Sequence, residues 1–429
     1  MSFLKPLQFE RSTHNHIRIH VMPTDRFKTF AISVYVGRPL DENEVTETAL
    51  TPFVLRRGNE LFPETQQFRE HLDELYGAGF GFDIYKRGDY QIVQMRMDII
   101  NDRFVSSTES LLRQGLQFVG ETLTKPALED HHFRDKYVDS EKQTLQKRLE
   151  AVINDKIRYA AERCVEEMCK DEPYRLHPLG KISDLTPITS SGLYEHYKKW
   201  MRESSIDIYV VGNTTLKEVE DIVYKAFPIP RTGDVNYKPA KIRSQVNQVK
   251  TVVEKLDVGQ GKLNMGLRAN VTYGDDLYPV ALMYNGVLGG YPHSKLFIHV
   301  REKESLAYYA SSRLDGHKGI LTLQSGIEIQ NYEKAVAIIL KQLEAMEQGD
   351  ISEKELSQTR AMISNHLREL QDSAFELISF DFNLILSGKE RTVPELIRDV
   401  VQVDAGAIAK VANLVKLDTI YFLRDQKGD

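Results

Sequence analysis

The most direct candidate for metal chemistry in this sequence is the segment 67–71. It reads Gln-Phe-Arg-Glu-His, which is one substitution from the arrangement H-x-x-E-H. In that arrangement two imidazoles on one helix face ligate zinc, and the glutamate takes a proton from zinc-bound water. Gln67 is a poor zinc ligand, and Glu-His pairs are common on exposed helices. We therefore interpret 67–71 as a solvated helix face, with a metal site there as the alternative.

The other histidines and the two cysteines do not favour a metal site either. His14, His16 and His20 alternate in a strand-like stretch, which is typical of polar positions on an edge strand, with adventitious metal binding as the alternative. Cys164 and Cys169 are five residues apart in a helical stretch, so they point to different helix faces. We interpret them as core residues. No nucleophile with an adjacent base and no phosphate-binding glycine loop is recognisable.

The composition is that of a globular protein with no general affinity for polyanions. At roughly 100–200 residues per domain, a chain of 429 residues is expected to form two or more domains. Its 56 basic and 62 acidic residues give a net charge of −6, which excludes a global attraction to nucleic acid or anionic lipid. The sequence has no apolar run long enough to span a membrane and no apolar signal core. We expect a cytoplasmic protein.

The two halves of the chain carry similar patterns in the same order. Residues 28–36 and 262–271 each read as a strand, and each is followed by a polar turn and an apolar helical run. A pair of strands split by a glycine turn comes next, at 80–99 and at 308–327. Long helices and a closing strand end each half. Strands, then helices, then one last strand is an α+β order and not the alternation of a parallel sheet.

We therefore predict an α+β fold of two similar domains. Each should have an antiparallel-dominated β-sheet with helices packed on one face. Residues 229–244 contain Pro230 and Gly233 and break both helix and strand patterns, so this segment is the predicted linker. The predicted domains are 1–228 and 245–429.

The most informative segment of the sequence is 288–308, which reads LGGYPHSKLFIHVREKESLAY. It closely resembles the second-domain signature of the M16 peptidases, the family that includes insulin-degrading enzyme and the mitochondrial processing peptidase. Residues 174–180, with Ser-Asp-Leu at 183–185, resemble the first-domain landmark of that family. Val-Gly-Asn at 211–213 falls where the family ends its first domain. The resemblance covers nearly the whole chain in the right order.

The resemblance implies that this chain has lost its zinc site. Active members carry H-x-x-E-H on a first-domain helix, and the matching segment here is 48–59. Ala49 and Phe53 stand at the two histidine positions, and Pro52 stands at the position of the general base. None of these side chains can ligate a metal or accept a proton. Glu141 matches the remaining ligand, with a solvated helix carboxylate as the other interpretation. We expect no cofactor in this chain.

The resemblance also implies that an arginine and a tyrosine of the family's catalytic site are retained. Family members place an arginine and a tyrosine, seven residues apart, opposite the zinc site, where they position the substrate and stabilise the carbonyl oxyanion. Arg301 and Tyr308 have that spacing. In two-chain members of the family, one subunit carries zinc and the other carries this pair. The expected partner is thus a zinc-bearing M16 subunit, with peptides as substrates, and the expected role is half of a peptide-enclosing chamber.

Two other functions remain open at this point. The chain is alternatively a non-proteolytic scaffold, for which Arg301 and Tyr308 serve only structure: a helix-end salt bridge and a filled strand face. Less favoured is an active peptidase that uses the metal site considered at 67–71.

Overall fold

The structure is a computed structural model that describes residues 8–233 and 236–426. The described residues form two compact units, and each unit includes a segment from the other half of the sequence. Unit 1 comprises the residues up to Leu149 with Leu176–Tyr237 and Ala374–Ser379. Unit 2 comprises Glu150–Arg175, Lys238–Ser373 and the residues from Phe380 onward. The domain boundaries drawn from the sequence, at 228 and 245, remain predictions.

The secondary structure alternates short groups of strands with longer helices. The strands are β1 (Glu10–His14), β2 (Ile17–Pro23), β3 (Thr29–Pro39), β4 (Gly79–Arg87), β5 (Tyr90–Ile100), β6 (Leu128–Glu129), β7 (His132–Phe133), β8 (Ser205–Gly212), β9 (Lys250–Lys255), β10 (Gly261–Arg268), β11 (Ala307–Asp315), β12 (Ile320–Ile327) and β13 (Lys416–Arg424). The helices are α1 (Val45–Leu55), α2 (Thr65–Glu74), α3 (Leu111–Thr124), α4 (Asp135–Asn154), α5 (Lys156–Met168), α6 (Ser190–Glu203), α7 (Leu216–Ala226), α8 (Tyr278–Asn285), α9 (Tyr332–Glu347), α10 (Glu353–Glu369), α11 (Ala374–Ser387), α12 (Val393–Gln402) and α13 (Ala405–Leu414). Two π-helices cover Gly286–Gly290 and Phe297–Lys303.

Each unit is built on one antiparallel-dominated sheet, which confirms the predicted α+β class. In unit 1 the strand order is β1-β2-β8-β3-β5-β4, and only β2 and β8 are parallel neighbours. In unit 2 the order is β11-β12-β10-β13-β9, with β13 and β9 as the parallel pair. No helix of the described residues is both long and apolar enough to cross a lipid bilayer.

Period-two alternation decides which face of each sheet becomes the core. In β3 the side chains of Ile32, Val34 and Val36 are fully buried against the helices of unit 1. In β10 the side chains of Leu263 and Met265 enter the corresponding core of unit 2, together with residues of α8, α9, α10, α12 and α13. Helices therefore cover one face of each sheet, as the sequence predicts.

One helix lies on the other face of the unit 2 sheet. Gly266 and Arg268 of β10 point away from the unit 2 core, and α5 packs over them. A Cβ at Gly266 would come within 2.7 Å of the sulfur of Met168, so glycine permits this approach. Arg268 also donates from Nη2 to the Met168 carbonyl at 2.7 Å. The sequence pattern does not predict a helix on this second face.

A buried ion cluster follows α5 and fixes it to the sheet. The Glu172 carboxylate forms ion pairs with Arg268 at 2.7 Å and with Lys318 at 2.9 Å. Both cations are almost completely buried. Arg268 also pairs with Asp418 at 2.9 Å. Because Glu172 serves two desolvated cations, its carboxylate compensates for much of their desolvation cost.

We predict that Glu172→Ala destabilises the protein by about 3–5 kcal/mol, the usual cost of removing one partner of a buried ion pair. Asp171→Ala is the matched control, since the Asp171 side chain is 81% exposed and its ion pair with Arg243 is long, at 3.7 Å. Urea unfolding followed by far-ultraviolet circular dichroism measures both. Equal midpoints for the two variants would contradict the predicted role of the cluster.

Candidate functional site

The three positions that replace the zinc motif lie in the interior of unit 1. Helix α1 is buried along nearly its whole length, and Ala49 and Phe53 have no exposed surface. Pro52 sits inside the helix and is buried as well. Neither a methyl group, a phenyl ring nor a pyrrolidine ring offers a lone pair to a metal. This stretch of α1 therefore contributes packing and no chemistry.

A polar contact between His196 of α6 and two residues of α1 holds these helices together. His196 lies 3.0 Å from the Thr48 hydroxyl through Nε2 and 3.4 Å from Glu47 through Nδ1. Burial lowers the pKa of His196 to about 4, so the ring is neutral near pH 7. His196 is thus an anchor for α1 and carries no ionic charge there.

Glu141 is not a solvated helix carboxylate, so that interpretation is wrong. Its residue surface is 1% exposed, and Oε1 accepts a charge-assisted hydrogen bond from Nε of Arg57. The Nη2 of Arg57 donates to the Ser140 hydroxyl at 2.9 Å. Arg57 therefore supplies the countercharge that a buried carboxylate needs. This burial could not be predicted from the sequence because Glu141 lies on a mostly polar helix.

Aromatic and cationic side chains surround the pair formed by Arg57 and Glu141. The rings of Phe53 and Phe82 meet edge to face, with centroids 4.8 Å apart. The guanidinium of Arg148 lies 4.7 Å from the Phe53 centroid, and that of Arg56 lies 5.3 Å from the Phe82 centroid. Phe53 stands at the position matched to the second zinc-ligating histidine. Its ring instead contacts the guanidinium of Arg148.

The electrostatics of this region oppose a bound cation. Burial lowers the pKa of Arg56, and the nearby charges of Arg148, Arg57 and Arg69 lower it further, while only Glu141 raises it. We call Arg56, Arg57, Arg69 and Arg148 the arginine cluster. A zinc ion here would meet four guanidinium groups and one carboxylate that is already ion-paired. The residues present do not fit the zinc centre of active M16 peptidases.

The other candidate metal sites are accounted for by ordinary contacts. At 67–71 the side chain of Gln67 accepts from the Glu64 backbone as part of a helix cap, and His71 stacks on Phe62 at 4.2 Å. Throughout residues 8–233 and 236–426, no group of three or more His, Cys, Asp or Glu side chains is arranged to hold a metal. The solvated-face interpretation of 67–71 fits only in part, because His71 is half-buried.

The histidines near the start of the chain do not share one strand face. A tight turn at Asn15 and His16, both with positive φ, separates β1 from β2 and breaks the alternation. His20 is buried and lies 2.8 Å from Asp207, so its interpretation as an edge-strand residue is wrong. Cys164 and Cys169 are both buried, which confirms the interpretation of both as core residues.

Arg301 and Tyr308 lie on neighbouring elements of unit 2, and both are exposed. Arg301 belongs to the π-helix Phe297–Lys303, and its guanidinium packs 4.6 Å from the ring of Phe297. Tyr308 follows at a bulge in β11, where the pairing with β12 skips from Ala307 to Tyr309. A bulge leaves its extra residue out of the ladder, and the Tyr308 side chain is 63% exposed. Its hydroxyl donates to Glu328 at 2.8 Å, and this hydrogen bond raises the pKa of Tyr308.

The glycines of the signature segment set the distance between this π-helical region and β11. A Cβ at Gly289 would fall within 2.6 Å of the Ser312 backbone nitrogen. Ser312 in turn donates to the carbonyl and the side-chain oxygen of Asn285. Close packing on the backbone of β11 explains Gly289, and it positions the strand that carries Tyr308.

Comparison with known proteins places the chain in a family. The profile of the Peptidase M16 inactive domain matches residues 187–363. A Bacillus subtilis protein described as a probable inactive metalloprotease, YmfF, is 39% identical over 432 residues, with all of both chains covered. The chain belongs to the M16 peptidase family, and it is of the inactive metalloprotease-like type.

Solved structures share the fold over nearly the whole chain. A conserved protein from Enterococcus faecalis superposes with a TM-score of 0.90 at 29% identity, covering 96% of this chain and 97% of that one. A Pseudomonas fluorescens structure described as a peptidase M16 inactive domain gives a TM-score of 0.80 at 14% identity, covering 98% and 100%. At that identity the second likeness is one of fold alone.

The arginine cluster is the feature of this site that sequence reasoning missed. One local signal was available, because Arg56 and Arg57 directly follow the degenerate motif. A second signal concerns Arg148, which lies seven residues, or two helical turns, after Glu141 and therefore on the same face of α4. Only the fold shows that α1, α2 and α4 bring these side chains together.

We predict that Arg57→Met destabilises unit 1 by about 2–3 kcal/mol, because it leaves the buried Glu141 carboxylate unpaired. The estimate is below the fully buried case, since the Arg57 side chain is 29% exposed. The double variant Arg57→Met/Glu141→Leu should recover most of the loss, because two apolar side chains replace both charges. Unfolding is followed by the fluorescence of Trp200, the single tryptophan, which is buried in unit 1.

Lys147→Met is the control for the loss of a positive charge on an exposed position of α4, and it should change stability by less than about 0.5 kcal/mol. Additive losses in the double variant would show that Arg57 and Glu141 do not act as a pair.

Proposed function

We propose that this chain is the zinc-less subunit of a two-chain M16 metallopeptidase. It forms half of a peptide-enclosing chamber and supplies Arg301 and Tyr308 opposite a zinc site carried by its partner. The chain alone would cleave no peptide under this proposal. The zinc that activates water belongs to the partner.

The observation that carries this proposal is the contrast between the two ends of the family's catalytic machinery. The zinc-motif positions Ala49 and Phe53 are completely buried apolar side chains. Arg301 and Tyr308, in contrast, are exposed on irregular backbone, one in a π-helix and one at a β-bulge. π-Helices and bulges are both enriched at functional sites. Exposed side chains on such backbone are available to a ligand.

The Tyr308 phenol is in the protonated state that a donor needs. Its single proton is donated to Glu328 in this structure, so the proposed role requires the hydroxyl to turn from Glu328 to the substrate. The hydrogen bond to Glu328 raises the pKa of the phenol above its ordinary value near 10, so the hydroxyl keeps its proton at neutral pH. A protonated phenol and a guanidinium are both donors, and donors aimed at a developing oxyanion are most effective where water is excluded. Closure of a chamber around the peptide would provide that exclusion.

A scaffold without any proteolytic role is the second candidate. The contact between Arg301 and Phe297 favours it, because a cation that stacks on its own helix serves packing without any substrate. The two functions differ in whether catalysis depends on Arg301 and Tyr308. An active peptidase with its own metal has no support from the described residues, which form no metal-binding group.

We predict that Tyr308→Phe and Arg301→Ala each lower the turnover of the reconstituted pair by about 100- to 1,000-fold, the usual cost of losing an oxyanion donor. The partner is identified as a co-purifying chain with an intact H-x-x-E-H motif. Steady-state peptide hydrolysis measures turnover, and gel filtration measures assembly, which should be unchanged.

Two matched variants serve as controls. Tyr224→Phe removes the hydroxyl of an equally exposed tyrosine, at 63% exposure, in unit 1. Lys303→Ala removes a positive charge from the same π-helix as Arg301. Both should keep full activity. Full activity of the Tyr308→Phe/Arg301→Ala double variant would instead favour the scaffold.

A further inference from the structure

The arginine cluster presents more positive charge than unit 1 neutralises locally. Arg57 is paired with Glu141, but Arg56, Arg69 and Arg148 make no ion pair with any carboxylate of the described residues. All three are exposed. The chain as a whole carries a net charge of −6, so this local surplus runs against the average of the molecule.

Aromatic rings fix two of these guanidinium groups in place. Arg148 stacks on Phe53 and Arg56 stacks on Phe82, and the two rings touch each other. Stacking engages the face of a guanidinium and leaves its N–H groups directed sideways. The side-chain entropy of both arginines is therefore partly lost before any ligand arrives, which lowers the cost of binding.

The chemistry of such a surface favours an anionic ligand, and a carboxylate is the anion that the side chains of unmodified peptides carry. A guanidinium binds a carboxylate through two parallel hydrogen bonds. The rings of Phe53 and Phe82 lie beneath the guanidinium groups. Both rings are largely covered by protein, so the arginines are the groups that a ligand would contact. An extended polyanion such as nucleic acid would meet a net-negative protein beyond this patch. A short segment with two or three carboxylates would be held by the cluster alone.

We infer that the arginine cluster is a binding site for acidic peptide segments, which Arg56, Arg69 and Arg148 recognise through Asp or Glu side chains. Peptide as the ligand class rests on the proposed function. The binding itself is measured on the isolated chain, so its failure is distinguishable from a failure of the two-chain peptidase.

The experiment is fluorescence anisotropy of the isolated chain with a labelled Glu-rich decapeptide whose C-terminus is amidated. A peptide with Gln in place of every Glu should bind at least tenfold more weakly. The variant Arg56→Gln/Arg148→Gln should weaken binding of the acidic peptide at least tenfold. Lys147→Gln, which removes one positive charge at an exposed neighbour of Arg148 on α4, should change it less than twofold. Circular dichroism and Trp200 fluorescence verify that each variant is folded.

Three results would overturn the inference. The first is equal binding of the acidic and Gln peptides, which would show that the carboxylates do not contribute. The second is an equal loss of binding in Lys147→Gln and in the double arginine variant, which would indicate unspecific charge attraction. Third, a single-stranded oligonucleotide or millimolar inorganic phosphate displaces the peptide as well as an unlabelled acidic peptide does, which would indicate a general anion site. Arg69→Gln provides an independent check, because Arg69 is not part of the aromatic stack, and it should weaken acidic-peptide binding at least threefold.

Discussion

A buried carboxylate must be neutralised, and in unit 1 an arginine neutralises Glu141. Glu141 lies in the interior of unit 1 with Arg57 on one oxygen. The cost of burying an unpaired ion is several kcal/mol, so the pair constrains both segments that carry it. The contact joins the segment that follows α1 to helix α4.

The apolar substitutions in α1 are consistent with that constraint. Ala49, Pro52 and Phe53 have become part of the core of unit 1, and Phe53 also supports Arg148. Polar ligands at these positions would be costly without a metal, since buried polar groups need partners. The second unit shows the opposite trend, because Arg301 and Tyr308 remain on the surface. This contrast is the basis of the proposed function with a partner subunit.

Much of the fold could be predicted from the sequence because its signals are local. Each of these signals comes from residues close together in the chain: the alternation in β3, the alternation in β10, and the capping box of Ser352 and Glu355. The structure contains all three. The position of α5 on the second face of the unit 2 sheet could not be predicted. Its amphipathic pattern shows that one face is buried, but not against which sheet.

The candidate site was predictable only where family spacing determined it. Ala49, Pro52, Phe53, Arg301 and Tyr308 are assigned from motif positions, and that assignment stays a prediction. The burial of Glu141 and the clustering of Arg56, Arg69 and Arg148 depend on contacts between helices far apart in sequence. A charged residue on a polar helix reads as solvated, and only tertiary contacts show otherwise. The same reason explains the error at His20, whose partner Asp207 is 187 positions away.

The central claim is that Arg57 and the apolar face of α1 have replaced the metal, and zinc binding by the purified chain tests it most directly. The chain is dialysed against excess zinc and passed through gel filtration, and its zinc content is measured by elemental analysis. The account predicts much less than one zinc per chain, with no loss of stability on treatment with a chelator. Near-equimolar zinc that survives gel filtration, together with destabilisation by the chelator, would contradict it.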